Sequence, residues 1–254
     1  MKASTVHVRR EGRTVWVTLD RPPLNVFDIP MMRAMSSALV HNVKETDFLV
    51  FEGAGKKAFS AGAEVRDHTP DRIVEMLGAF HSVFRQLWRA DCVTIAAVQG
   101  HCLGGGCELA AFCDFVIATE LATFGQPEIK LGCFPPVALA AFPHLIGPRA
   151  ALDLILTGRT ILSREALDLG LITRVVPEGE LMSAVKLFLS ELQKLSPAVL
   201  RLTRRTLRRT SGFDFDEALN EVEEMYLNQL MKTEDASEGV RAFLEKRAPV
   251  WQGR

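Results

Sequence analysis

Two glutamates beside runs of small residues are the features of this sequence best suited to chemistry. Glu108 follows the three consecutive glycines Gly104-Gly105-Gly106, and Glu128 comes 20 positions later in a segment marked by Gly125 and Pro127. The glycines precede a predicted helix, and the first backbone N–H groups of a helix have no partner within it. Because glycine has no side chain, a substrate can approach these amides closely. Amides next to two acids could polarise a carbonyl oxygen, stabilise the resulting oxyanion and move protons beside it.

Each glutamate also has a structural explanation. An acid in the first turn of a helix complements the helix dipole, which would account for Glu108, and Glu128 could be a solvated loop charge. Both residues are nevertheless surrounded in the sequence by apolar or small residues, where an unpaired charge is costly. Buried carboxyls of this kind have shifted pKa values and serve as acids or bases. The two glutamates together therefore favour the catalytic interpretation.

A third segment could supply a second amide. The run from Phe59 to Glu64 follows a predicted strand and is rich in small residues. A free amide in this run could converge with one from the glycine run on a single oxygen atom. Two such amides would form an oxyanion hole, in which each donor is typically worth about 3 to 4 kcal/mol of transition-state stabilisation.

The composition is that of an ordinary soluble globular protein. The 254 residues are 48% hydrophobic and 24% charged, and 30 basic residues nearly balance 31 acidic ones. This balance gives no argument for a nucleic-acid or membrane partner. The five cysteines contain no Cys-x-x-Cys pair, which is typical of free thiols in a reducing compartment, and the polar amino-terminal residues do not resemble a secretory signal. We therefore expect a cytoplasmic protein, and no metal-ligand spacing is found.

Periodicity predicts short strands that alternate with helices. A hairpin is expected around Glu11-Gly12, a helix after the N-cap residue Asp28, and a second long helix over 73–87 with Thr69-Pro70 at its start. From about Pro197 onward the pattern is wholly helical. Further short buried strands are predicted at 48–51, 93–98, 115–118 and 172–176. The alternation indicates an α/β fold built from repeated short turns.

The sequence resembles the crotonase (enoyl-CoA hydratase/isomerase) superfamily over nearly its whole length. The resemblance implies an α/β fold in which residues 1–195 form a crotonase-type spiral of ββα units with the active site. Residues 196–254 would then form a helical trimerisation region, in trimers that often pair into hexamers. The ordered motifs that carry the resemblance are Leu19-Asp20-Arg21-Pro22, Ala58-Phe59-Ser60-Ala61-Gly62-Ala63-Glu64, Ile95-Ala96-Ala97-Val98-Gln99-Gly100, Gly104-Gly105-Gly106-Cys107-Glu108-Leu109-Ala110, Phe124-Gly125-Gln126-Pro127-Glu128-Ile129 and Glu245-Lys246-Arg247.

The resemblance also implies a coenzyme A thioester substrate and hydratase (lyase) activity. The amides of Ala63 and Gly105 would bind the thioester oxygen, while Glu108 assists an attacking water and Glu128 handles the proton delivered to carbon. The presence of both glutamates favours a hydratase over an isomerase, hydrolase or decarboxylase. No cofactor is required, because coenzyme A is part of the substrate. Further substrate and coenzyme A contacts are expected at Arg21, Asn25, Ala61, Gly62, His68, Phe134, Pro135 and Lys246.

One segment departs from the family pattern. Gly132-Cys133-Phe134-Pro135-Pro136 stands where a Pro-Gly-x-Gly-Gly-Thr run is usual, so the acyl pocket should be stiffer. Together with the run from Ala63 to Thr69 and with Phe80-His81, this segment is similar to the cyclohexa-1,5-diene-1-carbonyl-CoA hydratases of aromatic compound degradation. Those enzymes add water to a conjugated cyclic diene. The alternatives are an ordinary enoyl-CoA hydratase of fatty acid metabolism and an enoyl-CoA isomerase.

Two functions of a different class stay open. A stripe of arginines at helical spacing could bind RNA phosphates, or could be a solvated face paired with nearby glutamates. The near-zero net charge favours the solvated face, so no nucleic-acid partner is expected. A non-catalytic thioester binder is the other alternative, and the two glutamates argue against it. The arginines are Arg201, Arg204, Arg205, Arg208 and Arg209, and the nearby acids are Glu217, Glu221, Glu223 and Glu224.

Overall fold

The computed structural model describes residues 4–44 and 46–253, and these residues form short strands and α-helices in alternation. None of the described helices is long and apolar enough to cross a membrane. The strands are β1 (Val6–Glu11), β2 (Thr14–Leu19), β3 (Phe48–Gly53), β4 (Ala58–Ser60), β5 (Val93–Val98), β6 (His101–Leu103), β7 (Phe115–Thr119), β8 (Thr123–Gly125), β9 (Thr160–Leu162) and β10 (Arg174–Val176). The helices are α1 (Ile29–Asn42), α2 (Ile73–Arg89), α3 (Gly105–Ala111), α4 (Pro136–Ile146), α5 (Pro148–Thr157), α6 (Ser163–Asp168), α7 (Leu181–Leu192), α8 (Pro197–Thr210), α9 (Phe215–Asn228) and α10 (Glu234–Leu244).

The larger sheet has the strand order β1-β2-β3-β5-β7-β10. β1 and β2 form the predicted antiparallel hairpin, and the other neighbouring strands are parallel. Parallel strands that are covered on both faces consist of continuous apolar residues. β5 illustrates this rule, because all of its residues are buried.

A smaller sheet of short strands has the order β4-β6-β8-β9. Each turn of the chain places one strand in the larger sheet and the next strand in the smaller one, so that β4 follows β3, β6 follows β5 and β8 follows β7. β4, β6 and β8 are parallel neighbours, and their carboxyl ends therefore lie at one edge. The expected α/β spiral of ββα units with a helical carboxy-terminal region is confirmed.

The local predictions hold for some elements and fail for others. Asp28 caps α1 by accepting a hydrogen bond from the Met31 N–H at 2.9 Å. α2 begins only at Ile73, after the predicted start at Thr69-Pro70. The last strand is also shorter than predicted, because Ile172 lies in a buried loop before β10. The sequence patterns miss α4, which begins where Pro136 takes a first-turn position that needs no N–H.

The arginine stripe on α8 is engaged within the protein. The ion pairs are Arg201–Asp47, Arg204–Asp114, Arg205–Asp91 and Arg208–Asp114. The expected pairing with the glutamates of α9 is therefore wrong, because aspartates on other elements lie closer to the arginine side chains. Arg208 also stacks on the Trp88 ring, with 4.7 Å from the guanidinium carbon to the ring centroid. A stripe neutralised in this way gives little support to the RNA hypothesis.

Asp114 joins α8 to the larger sheet, and its replacement should be costly. The carboxylate accepts hydrogen bonds from the N–H and the hydroxyl of Thr94, both at 2.8 Å, and from Arg204, whose side chain is only 9% exposed. Asp114→Ala leaves a buried guanidinium without its partner, so we expect the free energy of unfolding to fall by about 3 kcal/mol. Asp91→Ala removes only the exposed pair with Arg205 and should cost less than about 1 kcal/mol. Denaturant unfolding of both variants checks this, and equal losses would contradict it.

Candidate active site

Three predicted segments meet at the carboxyl ends of β4, β6 and β8. They are the run Ala61-Gly62-Ala63, the glycine run that leads into α3, and the segment that ends at Glu128. A methyl group placed on Gly62 would lie 3.2 Å from the Gly105 nitrogen, and one placed on Gly104 would collide with Glu128 Oε1. The sequence therefore predicted correctly that these three segments lie together.

The two proposed oxyanion amides are held by the backbone on either side of this junction. Phe27 forms a parallel bridge with Ala63, in which the Phe27 N–H donates to the Gly62 carbonyl and the Glu64 N–H donates to the Phe27 carbonyl, both at 2.8 Å. These two bonds flank Ala63, so the Ala63 N–H points to the opposite side. Gly105 is the first residue of α3, and its N–H has no partner within the helix.

The glycines are also required by packing. Gly104 has a φ of 51° and a ψ of −130°, a conformation that favours glycine. A methyl group on Gly105 would lie 2.8 Å from the Phe80 Cζ atom, and one on Gly106 would collide with the Ser60 carbonyl. The glycine run thus allows α3, the β4 segment and the Phe80 ring to approach closely around the two glutamates.

Glu108 is a buried carboxyl held by the first turn of α4. The residue is 2% exposed, and its Oε1 accepts a hydrogen bond from the Ala138 N–H at 2.8 Å. Burial raises the pKa of Glu108 to about 7, although the amides of Ala138 and Val137 favour the ionised form. Such a group gains or loses a proton near neutral pH, as a general acid or base must.

Glu128 is the second buried carboxyl. Part of the residue is exposed, but its Oε2 atom is buried and has no hydrogen-bond partner among the described residues. Burial raises the pKa of Glu128 well above its ordinary value, and the charge of Glu108 raises it further. Because two like charges are costly in one apolar site, ionisation of either carboxyl opposes ionisation of the other.

The residues expected to contact coenzyme A divide into two groups. Arg21 is half-buried and forms ion pairs with Asp28 at 3.3 Å and with Glu64 at 3.1 Å. Lys246 lies exposed just beyond α10. Asn25 is buried, and its Nδ2 donates to the carbonyls of Ala58, Ala54 and Phe59 at 2.9 to 3.2 Å. The expected coenzyme A contact of the Asn25 side chain is therefore unsupported, because its amide already organises the loop backbone.

The residues expected to line the acyl path lie near the junction or on its rim. Ala61 and Gly62 belong to the junction itself. His68 borders a cavity of about 340 Å³ between a 3₁₀ turn and α10, and its Nδ1 lies 3.1 Å from the Glu64 carbonyl. Pro135 precedes α4, and Phe134 makes an edge-on contact with Tyr226 at 4.9 Å between ring centroids.

Sequence reasoning missed two residues that shape the site. The Ala138 amide binds Glu108, and Pro135-Pro136 is the signal that could have predicted this helix start with its unpaired first-turn amides. The contact of the Phe80 ring with Gly105 was missed as well, because the sequence shows Phe80 only as a member of an apolar stripe and of the Phe80-His81 pair noted above.

The remaining features of the described residues lie away from the two glutamates. A cavity of about 790 Å³ follows the α8 arginines, and neither Glu108 nor Glu128 lines it. Within residues 4–44 and 46–253, no cluster of three or more His, Cys, Asp or Glu side chains could hold a metal ion.

The chain is similar to known proteins over nearly its whole length. The enoyl-CoA hydratase/isomerase family model matches residues 9–254. The chain is 37% identical over 250 residues to the cyclohexa-1,5-dienecarbonyl-CoA hydratase of Thauera aromatica, and the aligned residues cover 98% of this chain and 96% of that protein. It is 36% identical over 259 residues to the probable enoyl-CoA hydratase echA8 of Mycobacterium tuberculosis, with 100% of both chains covered. A crystal structure of carnitinyl-CoA hydratase from Mycobacterium avium matches it with a TM-score of 0.86 and 32% identity over 100% of both chains. The chain belongs to the enoyl-CoA hydratase/isomerase family, and the resemblance seen in its motifs is confirmed.

The raised pKa of Glu108 predicts how stability depends on pH. The pKa of Glu108 is about 7 in the folded protein, compared with its ordinary value of 4.5. The stability that this difference contributes is therefore fully present below pH 4.5 and is lost as the pH rises through 7. Glu108→Gln keeps an acceptor for Ala138 and cannot ionise. We therefore expect this variant to be more stable than the wild type at pH 8, by up to about 3 kcal/mol, and nearly equal to it at pH 5.

Thermal unfolding midpoints of the wild type and Glu108→Gln at the two pH values measure this effect. Glu221→Gln, a change at an exposed position of α9, is the matched control and should shift neither midpoint. A difference between wild type and Glu108→Gln that is the same at pH 5 and pH 8 would contradict the assigned pKa.

Proposed function

We propose that this protein is a hydratase that adds water to an unsaturated acyl thioester of coenzyme A. The observation that carries the proposal is the pair of buried carboxyls, Glu108 and Glu128, beside the backbone amides of Ala63 and Gly105. The relatives named as hydratases support the reaction class.

In the proposed mechanism, the thioester oxygen accepts hydrogen bonds from the N–H groups of Ala63 and Gly105. The bridge to Phe27 fixes one amide and the start of α3 fixes the other, so neither must reorient as negative charge develops. Hydrogen bonding to this oxygen withdraws electrons along the conjugated acyl group. The far carbon of the conjugated system then becomes the electrophile that water attacks.

The two glutamates hold the water and divide the proton transfers. The water oxygen bonds to the far carbon, its proton passes to ionised Glu108, and the displaced π electrons move onto the thioester oxygen. The electron pair of this enolate then forms a C–H bond with the proton of Glu128. Raised pKa values suit both steps, because one carboxyl can be ionised while the other still carries its proton. A proton returns from Glu108 to Glu128 before the next cycle.

The remaining expected contacts are part of this proposal. Arg21 and Lys246 would meet the phosphates of coenzyme A, while Ala61, Gly62, His68, Phe134 and Pro135 would line the path of the acyl and pantetheine portions. The reaction needs no metal or redox cofactor, because amides and carboxyls supply the polarisation and the proton transfers. The five cysteines are buried free thiols, which supports a reducing compartment such as the cytoplasm.

We also propose that residues 196–254 form the trimerisation region of a homotrimer or of a hexamer of paired trimers. Val199, Leu202 and Leu207 of α8 are about 60% exposed or more and border one shallow cavity. Burial of such a patch in a subunit interface would remove this apolar surface from water.

The catalytic roles predict the effect of removing each carboxylate. Glu108→Gln and Glu128→Gln should each lower kcat for hydration by about 10²- to 10⁴-fold, because proton transfer is lost while the shape is kept. Binding of a saturated acyl thioester should change by less than about threefold, since the amides still bind its oxygen. Hydration assays and calorimetric titration measure the two effects.

Glu221→Gln serves again as the matched control, because this exposed residue loses the same charge outside the site. It should keep full turnover. Full turnover in Glu108→Gln or in Glu128→Gln would refute the mechanism with two carboxyls.

The acyl group that we propose is a cyclic conjugated dienoyl group, and a linear enoyl group is the alternative. The relative from Thauera aromatica supports the cyclic substrate, as does the Phe134-Pro135-Pro136 run, whose prolines restrict the backbone at the start of α4. The same residues would catalyse either reaction, as a 1,2-addition to a simple enoyl group or a 1,4-addition to a conjugated diene.

Substrate comparison tests the cyclic assignment. We expect kcat/KM for cyclohexa-1,5-diene-1-carbonyl-CoA to exceed that for crotonyl-CoA by at least about tenfold, because kcat/KM measures discrimination between competing substrates. A preference for crotonyl-CoA would defeat the cyclic assignment and leave the hydratase proposal intact.

A further inference from the structure

Tyr226 is a buried residue whose ring packs on Phe134 and whose hydroxyl has no part in the mechanism proposed above. It lies on α9, is 1% exposed, and is the only tyrosine in the sequence. Its hydroxyl is buried and has no hydrogen-bond partner among the described residues. An unpaired buried hydroxyl destabilises a protein by about 1 to 3 kcal/mol, whereas a phenylalanine would fill nearly the same space without that cost.

The tyrosine ring is placed against the segment that carries the active site. It contacts Phe134 edge-on, with 4.9 Å between ring centroids and 78° between the planes. The preceding residue, Cys133, donates its N–H to the Glu128 carbonyl at 3.1 Å. Four residues after Phe134, the Ala138 amide binds Glu108. Tyr226 therefore packs on a short stretch of chain that contacts both catalytic glutamates.

The hydroxyl has polar neighbours on this side of the protein. Burial raises the pKa of Tyr226 well above its ordinary value, and the neighbouring Cys133 thiol, Glu128 and Glu108 act in the same direction. The group is therefore a neutral O–H donor at physiological pH. Glu128 Oε2 is a second buried polar atom without a hydrogen-bond partner among the described residues. A bound group with an oxygen atom between the two would satisfy both of them.

The position of Tyr226 is fixed by a neighbouring residue on the same face of α9. Glu223 lies one turn earlier on the helix and pairs with His81 Nδ1 and with Arg85 of α2, the latter at 2.8 Å. Residues three apart on a helix share a face, so this anchor sets the rotation of α9 that brings Tyr226 onto Phe134. The anchor and the ring contact together hold the hydroxyl beside the Cys133 thiol, which is a weak hydrogen-bonding group and leaves the hydroxyl able to donate to a bound oxygen atom.

We propose that Tyr226 is a third catalytic residue, whose O–H donates a hydrogen bond to the oxygen atom that hydration adds to the acyl group. This inference rests on the proposed function, since the oxygen is that of the water held by Glu108 and Glu128. In the hydration direction Tyr226 orients the attacking water. In the reverse direction it binds the hydroxyl of the hydroxyacyl thioester and distinguishes it from a thioester without that hydroxyl.

Tyr226→Phe tests the proposal, because it removes the hydroxyl and keeps the ring on Phe134. The probes are a hydroxylated thioester and its counterpart without the hydroxyl, on the acyl skeleton that the enzyme hydrates. For a linear skeleton these are 3-hydroxybutyryl-CoA and butyryl-CoA, and for a cyclic one they are 6-hydroxycyclohex-1-ene-1-carbonyl-CoA and cyclohex-1-ene-1-carbonyl-CoA. Inhibition constants or calorimetry give the affinities of wild type and variant.

We expect Tyr226→Phe to bind the hydroxylated thioester about tenfold more weakly and the other thioester within about twofold of the wild type. Hydration kcat should also fall, and the thermal unfolding midpoint should not. Phe134→Leu is the matched control, because it loosens the ring contact without removing the hydroxyl and should affect both thioesters alike.

Equal effects of Tyr226→Phe on the two thioesters, or none on either, would overturn the role of Tyr226. The glutamate variants separate this outcome from failure of the proposed function. If Glu108→Gln and Glu128→Gln lose turnover while Tyr226→Phe shows no discrimination, only the inference about Tyr226 fails. If the glutamate variants keep turnover, the hydratase mechanism itself fails.

Discussion

The burial of two carboxyl groups in one site is the constraint on which the rest of this structure depends. A buried carboxylate is expensive unless it is hydrogen-bonded, and two neighbouring ones cannot both be ionised cheaply. The amides of Ala138 and Val137 stabilise ionised Glu108, whereas Glu128 Oε2 has no hydrogen-bond partner among the described residues. The site is therefore destabilising at high pH in the empty protein and chemically useful at neutral pH, because one group can give a proton while the other accepts one.

The parts of this site come from separate turns of the spiral. β4, β6 and β8 each end at the same edge of the smaller sheet, and each is followed by one component of the site. The Ala138 amide of α4 then binds Glu108. Tyr226 of α9 packs on Phe134, which lies in the segment between Glu128 and α4. In the proposed mechanism, packing and catalysis use the same residues, because the glycines that would admit a substrate to the backbone also let α3 approach β4 and Phe80.

The sequence allowed the main strands, the helices with clear caps and the catalytic segments to be predicted, because each has a local signal. Asp28 caps a helix through its own side chain, and the glycine run is required by a backbone conformation and by close contacts. Partners distant in the sequence could not be predicted in this way. The α8 arginines pair with aspartates on β-strand ends rather than with the glutamates nearest along the chain, and the amide of Asn25 serves three carbonyls of another loop. Tyr226 gave no signal, since its importance arises only when α9 packs beside the Glu128 segment.

A crystal structure of the protein with a bound hydroxyacyl-coenzyme A thioester would test the central claim most directly. We expect the thioester oxygen to lie within hydrogen-bond distance, about 3 Å, of both the Ala63 and the Gly105 nitrogens. The acyl hydroxyl should lie between the carboxyls of Glu108 and Glu128. A thioester bound with its acyl group elsewhere, for example in the cavity along the α8 arginines, would rule out this active site.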